Sequence, residues 1–312
     1  MTFLHHAPVR CLGVDVARDR LAVDDGITAA TVANSRAAIR SLLRTSRPDL
    51  VVCEPTGGYE LLLLEECLRA GIACHRADTL RLKAFIRSFG TLGKSDAIDA
   101  AQMAAYGRER WTKLPLWQAP DADEKQMQAL VRRRADLVAF KVAEQNRSRA
   151  PGARAMAASF RAMLATITRQ IAALERAIAA LVAQNAGLRH RVAICTGMNG
   201  IGTVSAVTII ALMPELGHLQ RRQAAALAGT APHPNESGTA RGRRRQRGGR
   251  PQVRTALFMP ALRAAAGQGE FAAFYARLIA NGKPPILAIA ATMRKIIITL
   301  NARLRDNQNH QS

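Results

Sequence analysis

Residues 11–34 read CLGVDVARDRLAVDDGITAATVAN, and this stretch decides the fold of the first part of the chain. CLGVDVA is a buried apolar strand that carries one acid, Asp15, near its end. DRLAVDD and TAATVAN follow as two further short strands set off by turn residues. Asn34-Ser35 then supplies an N-cap pair for the helical segment NSRAAIRSLLRTS. Beyond it, DLVVCEP is another buried strand, closed by Glu54 before Pro55, and GGYELLLLEECLRAG reads as a helix stopped at Gly71. IACHRA is a fifth strand, LRLKAFIRS a helix, FGTLGKS a loop, and DAIDAAQMAAYGRER a further helix. Three strands, then helix, strand, helix, strand and helix predict a mixed α/β domain.

That order places four acids suggestively. Asp15 ends the first strand and Glu54 the fourth, while Asp96 and Asp99 lie three residues apart on one helix face. Sites in open α/β sheets are built at strand ends. Four carboxylates gathered there repel one another unless cations neutralise them. Hard oxygen ligands suit Mg²⁺, with Mn²⁺ as an alternative. Two such ions about 3.5–4 Å apart clamp the attacking and leaving oxygens of a phosphodiester. Taken singly, each acid reads equally well as a turn, cap or surface residue; the combination points to metal.

The chain has 312 residues and 48% hydrophobic content, enough for a core and for more than one domain. Its formal net charge of +22 predicts a polyanionic partner, nucleic acid first. No apolar run reads as a membrane span and the N-terminus has no signal-peptide core, so a membrane partner is not expected. Five cysteines without a CxxC pair fit a reduced, cytosolic protein without a zinc site or disulfide framework. Aromatics at 4% argue against a module that stacks a run of single-stranded bases.

LPLWQAP, residues 114–120, is an extended linker. Two long helical stretches follow, residues 121–150 and 154–188, broken at Pro151-Gly152. In the second, Phe160, Leu164, Ile167, Ile171, Leu174, Ile178, Leu181 and Leu188 form a heptad seam. The pair either folds back as an antiparallel hairpin, joins another chain, or does both. The last third is helical and basic. In TGMNGIGTVSAVTIIALM, Gly200 and Gly202 punctuate a helix-hairpin-helix-like turn, which presents backbone N–H groups to phosphate. PNESGTARGRRRQRGGRPQVR, residues 234–254, reads as a loop with Ser237-Gly238 ahead of Arg241, Arg243, Arg244, Arg245, Arg247, Arg250 and Arg254. Arginine forks grip phosphates bidentately, and the interspersed glycines allow close backbone approach. A solvated basic segment that binds RNA without chemistry is the competing reading. His233 beside it reads as polar surface or as a proton carrier.

GVDVA, CEPTGGYE, GKSDAIDAAQMA and ALAGTAPHPNESGTARGRRRQRGGRPQVRTALFMPAL together resemble the insertion-sequence-110 family of transposases over nearly the whole chain. The resemblance implies a RuvC-like domain of RNase H fold over residues 1–113, with a DEDD set at Asp15, Glu54, Asp96 and Asp99. It implies a linker and coiled-coil dimerisation region over 114–190, and a mostly helical transposase domain over 191–312 whose essential serine is Ser237. It further implies a DNA recombinase that carries Mg²⁺ and is guided by a structured non-coding bridge RNA pairing with target and donor DNA. The expected assembly is a dimer on each DNA and a tetramer in the synaptic complex, with a site composed from two subunits. Ser237 is then the nucleophile of a covalent 5′-phosphoserine intermediate. Two other readings stand beside it. One is a metal-dependent, junction-resolvase-like nuclease using water; the other is a non-catalytic nucleic-acid-binding protein. One departure is visible: the family's Asn-Pro after the fifth strand is Arg76-Ala77 here.

Overall fold

The computed structural model describes residues 2–90, 96–237 and 240–309, with backbone alone for residues 97, 234–237, 240–244, 308 and 309. The chain divides into two compact units, Met1–Ala119 and Pro120–Ser312.

The first unit is built on strands β1 (Cys11–Val16), β2 (Arg20–Asp24), β3 (Ala29–Ala33), β4 (Leu50–Cys53) and β5 (Ala73–Arg76) in the order β3-β2-β1-β4-β5. β2 is antiparallel to β1 and to β3, whereas β4 and β5 run parallel to β1. This is the RuvC-like, RNase H arrangement expected from the sequence. Alternation along the strands sorts their side chains onto two faces. Leu12, Val14, Val16, Val51 and Cys53 pack with Leu43, Leu63 and Leu64 of helices α1 (Arg36–Ser46) and α2 (Leu61–Arg69). Cys11, Leu50 and Val52 pack with Phe85, Met103 and Tyr106 of α3 (Thr79–Ser88) and α4 (Asp96–Arg110). Ser35, of the expected cap pair, accepts from the Ala38 N–H, and Asp78 caps α3 by accepting from the Arg81 N–H. The stretch expected to be a linker is tied to this unit, since the Leu116 N–H donates to the Thr2 carbonyl and the Trp117 N–H to that of Cys74. All five cysteines are free and buried.

In the second unit, α5 (Ala122–Ser148) and α6 (Ala157–Gln184) pack against each other as an antiparallel pair. Asn185 beyond the end of α6 donates to Asp123 in the first turn of α5 at 2.6 Å, and Arg134 pairs with Glu175. The heptad seam is only partly used inside the chain. Ile167, Ile178 and Leu181 are buried and Phe160, Leu164, Ile171 and Leu174 half-buried; outside the seam, Phe140, Val142, Met156 and Met163 stay exposed around the far end of the hairpin. Leu188 belongs to the next helix, because Asn185 ends α6 and caps α7 (Ala186–Thr196).

The core of this unit joins α5 and α6 to α7, α8 (Thr203–Leu212), α9 (Arg221–Leu227), α10 (Pro251–Ala265), α11 (Ala272–Ala280) and α12 (Pro285–Asn309). α12 departs from the sequence expectation. Pro285–Asn307 contains an 18-residue window of mean hydropathy 1.4, long and apolar enough to cross a membrane by composition. Its Ala288, Met293, Ile296, Ile297, Leu300 and Leu304 are buried within the unit. The arginine-rich stretch departs too. It is not a loop but an antiparallel ribbon of β6 (Pro232–Ser237) and β7 (Ala240–Gln246). The Gln246 side-chain amide fixes the ribbon's root by donating to the carbonyls of Thr230 and Ala290.

Candidate active site and nucleic-acid interface

Asp15 follows Cys11 and Gly13 on alternate positions of β1, the face that α4 covers. The approach is unusually close. A Cβ on Gly13 would lie 1.9 Å from the Ala100 carbonyl oxygen and 2.4 Å from the Ala104 nitrogen; one on Gly107 would lie 2.2 Å from Cys11 Sγ. Gly107 thus meets Cys11 and Ala100 meets Gly13. The next step along this seam brings the first turn of α4, with Asp96 and Asp99, to Asp15. On the other side β4 pairs in parallel with β1, Val14 opposite Cys53, so Glu54 comes level with Asp15.

The electrostatics agree with this placement. Burial pushes the Asp15 carboxyl above the usual carboxylate range, and the charges of Asp96, Asp99 and Glu54 push it further, against a backbone hydrogen bond at Val16. The four acids therefore share one neighbourhood, but they do not close on a point. Among the described residues no three His, Cys, Asp or Glu groups are spaced to hold an ion. Asp96 is engaged instead by Arg20 of β2, Nη2 to Oδ2 at 2.9 Å. The donor chemistry, carboxylate oxygen throughout with like charges crowding Asp15, fits a hard divalent cation.

Glu60 is a supporting residue that the sequence reading does not single out. It is fully buried at the end of CEPTGGYE. Its Oε2 accepts from the Thr56 N–H at 3.0 Å, the Thr56 hydroxyl at 3.1 Å and the Gly58 N–H at 2.8 Å, and its Oε1 faces Arg76 at 3.1 Å. Burial pushes its carboxyl up, yet these backbone hydrogen bonds and the Arg76 charge together hold it below the usual range. Glu60 thereby fixes the turn that immediately follows Glu54. Arg76, where the family pattern has another residue, has a local function as its partner. The legible signal was an acid closing a turn of two glycines, Gly57 and Gly58, both at positive φ.

Ser237 lies in the second unit as the last residue of β6, its backbone opposite Ala240; its side chain lies outside the described residues. Gly238, which follows it, also lies outside them. Backbone pairing sets Arg241 opposite Glu236, Gly242 opposite Asn235 and Arg245 opposite His233. Arg243 and Arg244 sit on β7 between these pairs. Arg245 and Arg247 are exposed.

Arg250 is placed differently from the sequence expectation of a phosphate contact. Its Nη1 donates to Glu215 Oε2 at 2.8 Å and to the Leu212 carbonyl, and its Nη2 to Glu215 Oε1 at 2.7 Å. Its planar fork is spent on an internal carboxylate, since the geometry that suits phosphate suits Glu215 equally. Arg254 contacts the carbonyls of Gly229 and Gly248. There the backbones cross so closely that a Cβ on Gly249 would lie 2.2 Å from the Gly229 nitrogen. The close approach expected of Gly248-Gly249 is therefore made to the protein's own chain. In the turn between α7 and α8, Gly200 takes φ +100°, and Gly202 is the N-cap of α8 with open space around it.

A model of the DEDD transposases of the IS110 group matches residues 12–151, and the model described as transposase IS116/IS110/IS902 family matches residues 193–276. Two curated relatives are pilin gene-inverting proteins, from Moraxella bovis and Moraxella lacunata. Each is 26% identical over 262 residues, 83% of this chain and 80% of the relative. Among solved structures, Thermus thermophilus RuvC aligns at 15% identity and a TM-score of 0.29, over 35% of this chain and all of that one.

Proposed function

The chain belongs to the IS116/IS110/IS902 family of transposases, DNA recombinases with a RuvC-like domain, and on that premise we propose that it exchanges DNA strands through a covalent 5′-phosphoserine link made by Ser237. The observation that carries the reading is the placement of the four acids: β1–β4 pairing sets Glu54 level with Asp15, and the close approach of α4 to Gly13 brings Asp96 and Asp99 beside it. Such a cluster is unfavourable for folding alone and is accounted for by a charge it is built to receive. The names of the Moraxella relatives support recombination, since inverting a gene requires cutting and rejoining DNA.

Asp15, Glu54, Asp96 and Asp99 would hold Mg²⁺ or Mn²⁺. A bound divalent ion there supplies Lewis-acid stabilisation of charge on the phosphodiester oxygens. In the reaction, the Ser237 Oγ–P bond forms as the P–O3′ bond breaks. The hydroxyl proton leaves serine, and the departing oxygen ends as a free 3′-OH. The phosphoserine ester keeps the bond energy that rejoining needs. Arg241, Arg243, Arg244, Arg245 and Arg247 on the ribbon contribute phosphate contacts. Target and donor choice would rest with a structured non-coding bridge RNA, which suits a chain of net charge +22. The acids lie in one unit and the serine in the other, which is compatible with a site shared between subunits of a dimer or tetramer. The exposed apolar residues at the end of the α5–α6 hairpin offer a surface for that assembly. The setting is the cytoplasm, on nucleoid DNA.

The test is a covalent-adduct assay with Mg²⁺, labelled target and donor DNA, and RNA transcribed from the regions flanking the gene. Wild type, Ser237→Ala and Asp15→Ala are run side by side on a denaturing gel. A protein-linked DNA band lost in Ser237→Ala supports the proposal. Free cleaved DNA that survives Ser237→Ala but requires Asp15 would instead establish a nuclease that uses water.

A further inference from the structure

At the root of the β6–β7 ribbon, between it, α11 and α12, the second unit holds a cavity of about 730 Å³. Its lining has an unusual composition. Four cations, Arg221, Arg245, Arg294 and Lys295, converge on it, and among the described residues no acid lines it. Among the described residues none of the four has a carboxylate partner, in a protein where Arg20, Arg76, Arg134 and Arg250 each have one. Arg294 Nε is buried and makes no hydrogen bond. Such an orphaned donor is costly unless a ligand satisfies it.

Phe274 lines the same cavity. Lys295 Nζ stands 6.0 Å from the ring centroid; Arg277, which does not line the cavity, stands 5.5 Å from it. At the mouth, Ile286 and Leu287 are 64% and 51% exposed, an expensive place for large aliphatics with no partner. An aromatic face, an aliphatic wall and unpaired guanidinium groups are the three contacts that an unstacked nucleotide requires. The base needs a flat apolar slot and the phosphate a fork of donors.

We propose that this cavity captures one extruded nucleotide from an unpaired segment of nucleic acid. Its base lies against Phe274 between Ile286 and Leu287, and its phosphate is held by Arg294 with Arg245 and Arg221. The inference rests on the reading of the second unit as nucleic-acid-binding and adds to it a specific site and ligand. It also accommodates the low aromatic content: the cavity offers one stacking position, not a platform of them. Because Gln246 ties the ribbon's root to the Ala290 carbonyl of α12, a nucleotide held here would sit at a fixed distance along β6 from Ser237.

The experiment uses the full chain. Binding of a labelled unpaired 20-mer, made once with ribose and once with deoxyribose, is compared with binding of the duplex of the same sequence. Wild type, Phe274→Leu and Arg294→Gln are measured. Phe274→Leu is expected to weaken single-strand binding by roughly 5- to 100-fold, the range one stacked base is worth, and to leave duplex binding within twofold. The more strongly affected arm identifies whether RNA or DNA supplies the nucleotide. In wild type, a strand carrying 5-iodouracil should photo-cross-link to the peptide containing Phe274, a readout independent of how the variants fold. Single-strand binding unchanged in Phe274→Leu, or adducts mapped only outside the cavity, would overturn the proposal. Failure of wild type to bind any strand would instead remove the nucleic-acid reading of the unit, a separate result.

Discussion

Arg20 on β2 holds Asp96, the first residue of α4, through an ion pair of 2.9 Å. Both side chains are more than half exposed, so the pair itself adds little stability, at most about 1 kcal/mol. Its consequence is electrostatic. Asp96 is the largest charged contributor to the raised carboxyl of Asp15, and Arg20 neutralises it in part.

Arg20→Gln should therefore raise the Asp15 carboxyl further and tighten Mn²⁺ binding, because Asp96 regains its full charge and is released from its partner. Carboxyl NMR titration and Mn²⁺ binding measure the two effects. A weaker Mn²⁺ site in the variant would show that Arg20 positions Asp96 for the ion, contrary to this reading.

Asp15→Asn should make the metal-free protein more stable at neutral pH while abolishing DNA cleavage. The folded carboxyl of Asp15 lies above its unfolded value, so its ionised form is disfavoured by folding. The associated stability is present below the ordinary Asp range near 3.8 and is lost as pH rises through the folded value. Asparagine cannot ionise and escapes that loss. Denaturant midpoints of wild type and variant should coincide under acid conditions and separate above them. Added Mg²⁺ should stabilise wild type more than the variant, and an unchanged midpoint at neutral pH would count against the burial of this charge.

Gly13→Ala should damage both fold and site. Its Cβ would enter the backbone of Ala100 and Ala104, which cannot move away as a flexible side chain can. Overpacking of this kind costs about 1–3 kcal/mol or more. Any relaxation must lift α4, and with it Asp96 and Asp99, from Asp15. Urea melts report the first effect. Cleavage measured under conditions where the variant remains folded reports the second, and full cleavage there would mean that the seam does not set the acids.

The continuous apolar runs of CLGVDVA and DLVVCE made two buried strands legible, and the acids at their ends put Asp15 and Glu54 where sites in such sheets are built. The three-residue spacing of Asp96 and Asp99 did the same for α4. Gly13 and Gly107 carried no such signal, since a glycine inside a strand or helix does not say which backbone will approach it. The arginine ribbon was hidden for another reason. ARGRRRQ has low strand propensity, and its pairing is fixed by non-local bonds from Gln246 to Thr230 and Ala290. Arg250 looks like its neighbours in sequence; only Glu215, thirty-five positions away, sets it apart.

Arg247 and Arg250 should therefore separate under mutation although only Gly248 and Gly249 lie between them. Arg250→Gln removes a bidentate pair with Glu215 and leaves that carboxylate without its cation. Burial pushes the Glu215 carboxyl up; the Arg250 hydrogen bond and charge do most to hold it down, ahead of a backbone hydrogen bond and Arg191. The expected cost is about 1.5–3 kcal/mol of stability, the range for hydrogen bonds to charged groups. As pH falls through the depressed folded value that cost should shrink, because Glu215 then becomes protonated in wild type as well. Arg247→Gln, at an exposed position, should leave stability within about 0.5 kcal/mol. It should weaken DNA binding across sequences and flatten the salt dependence by about 0.7–0.9 in the log–log slope, one phosphate contact. Thermal melts and salt-titrated binding on the same two variants decide it. The reverse pattern, with a stable Arg250→Gln that loses a phosphate contact, would return Arg250 to the nucleic-acid interface.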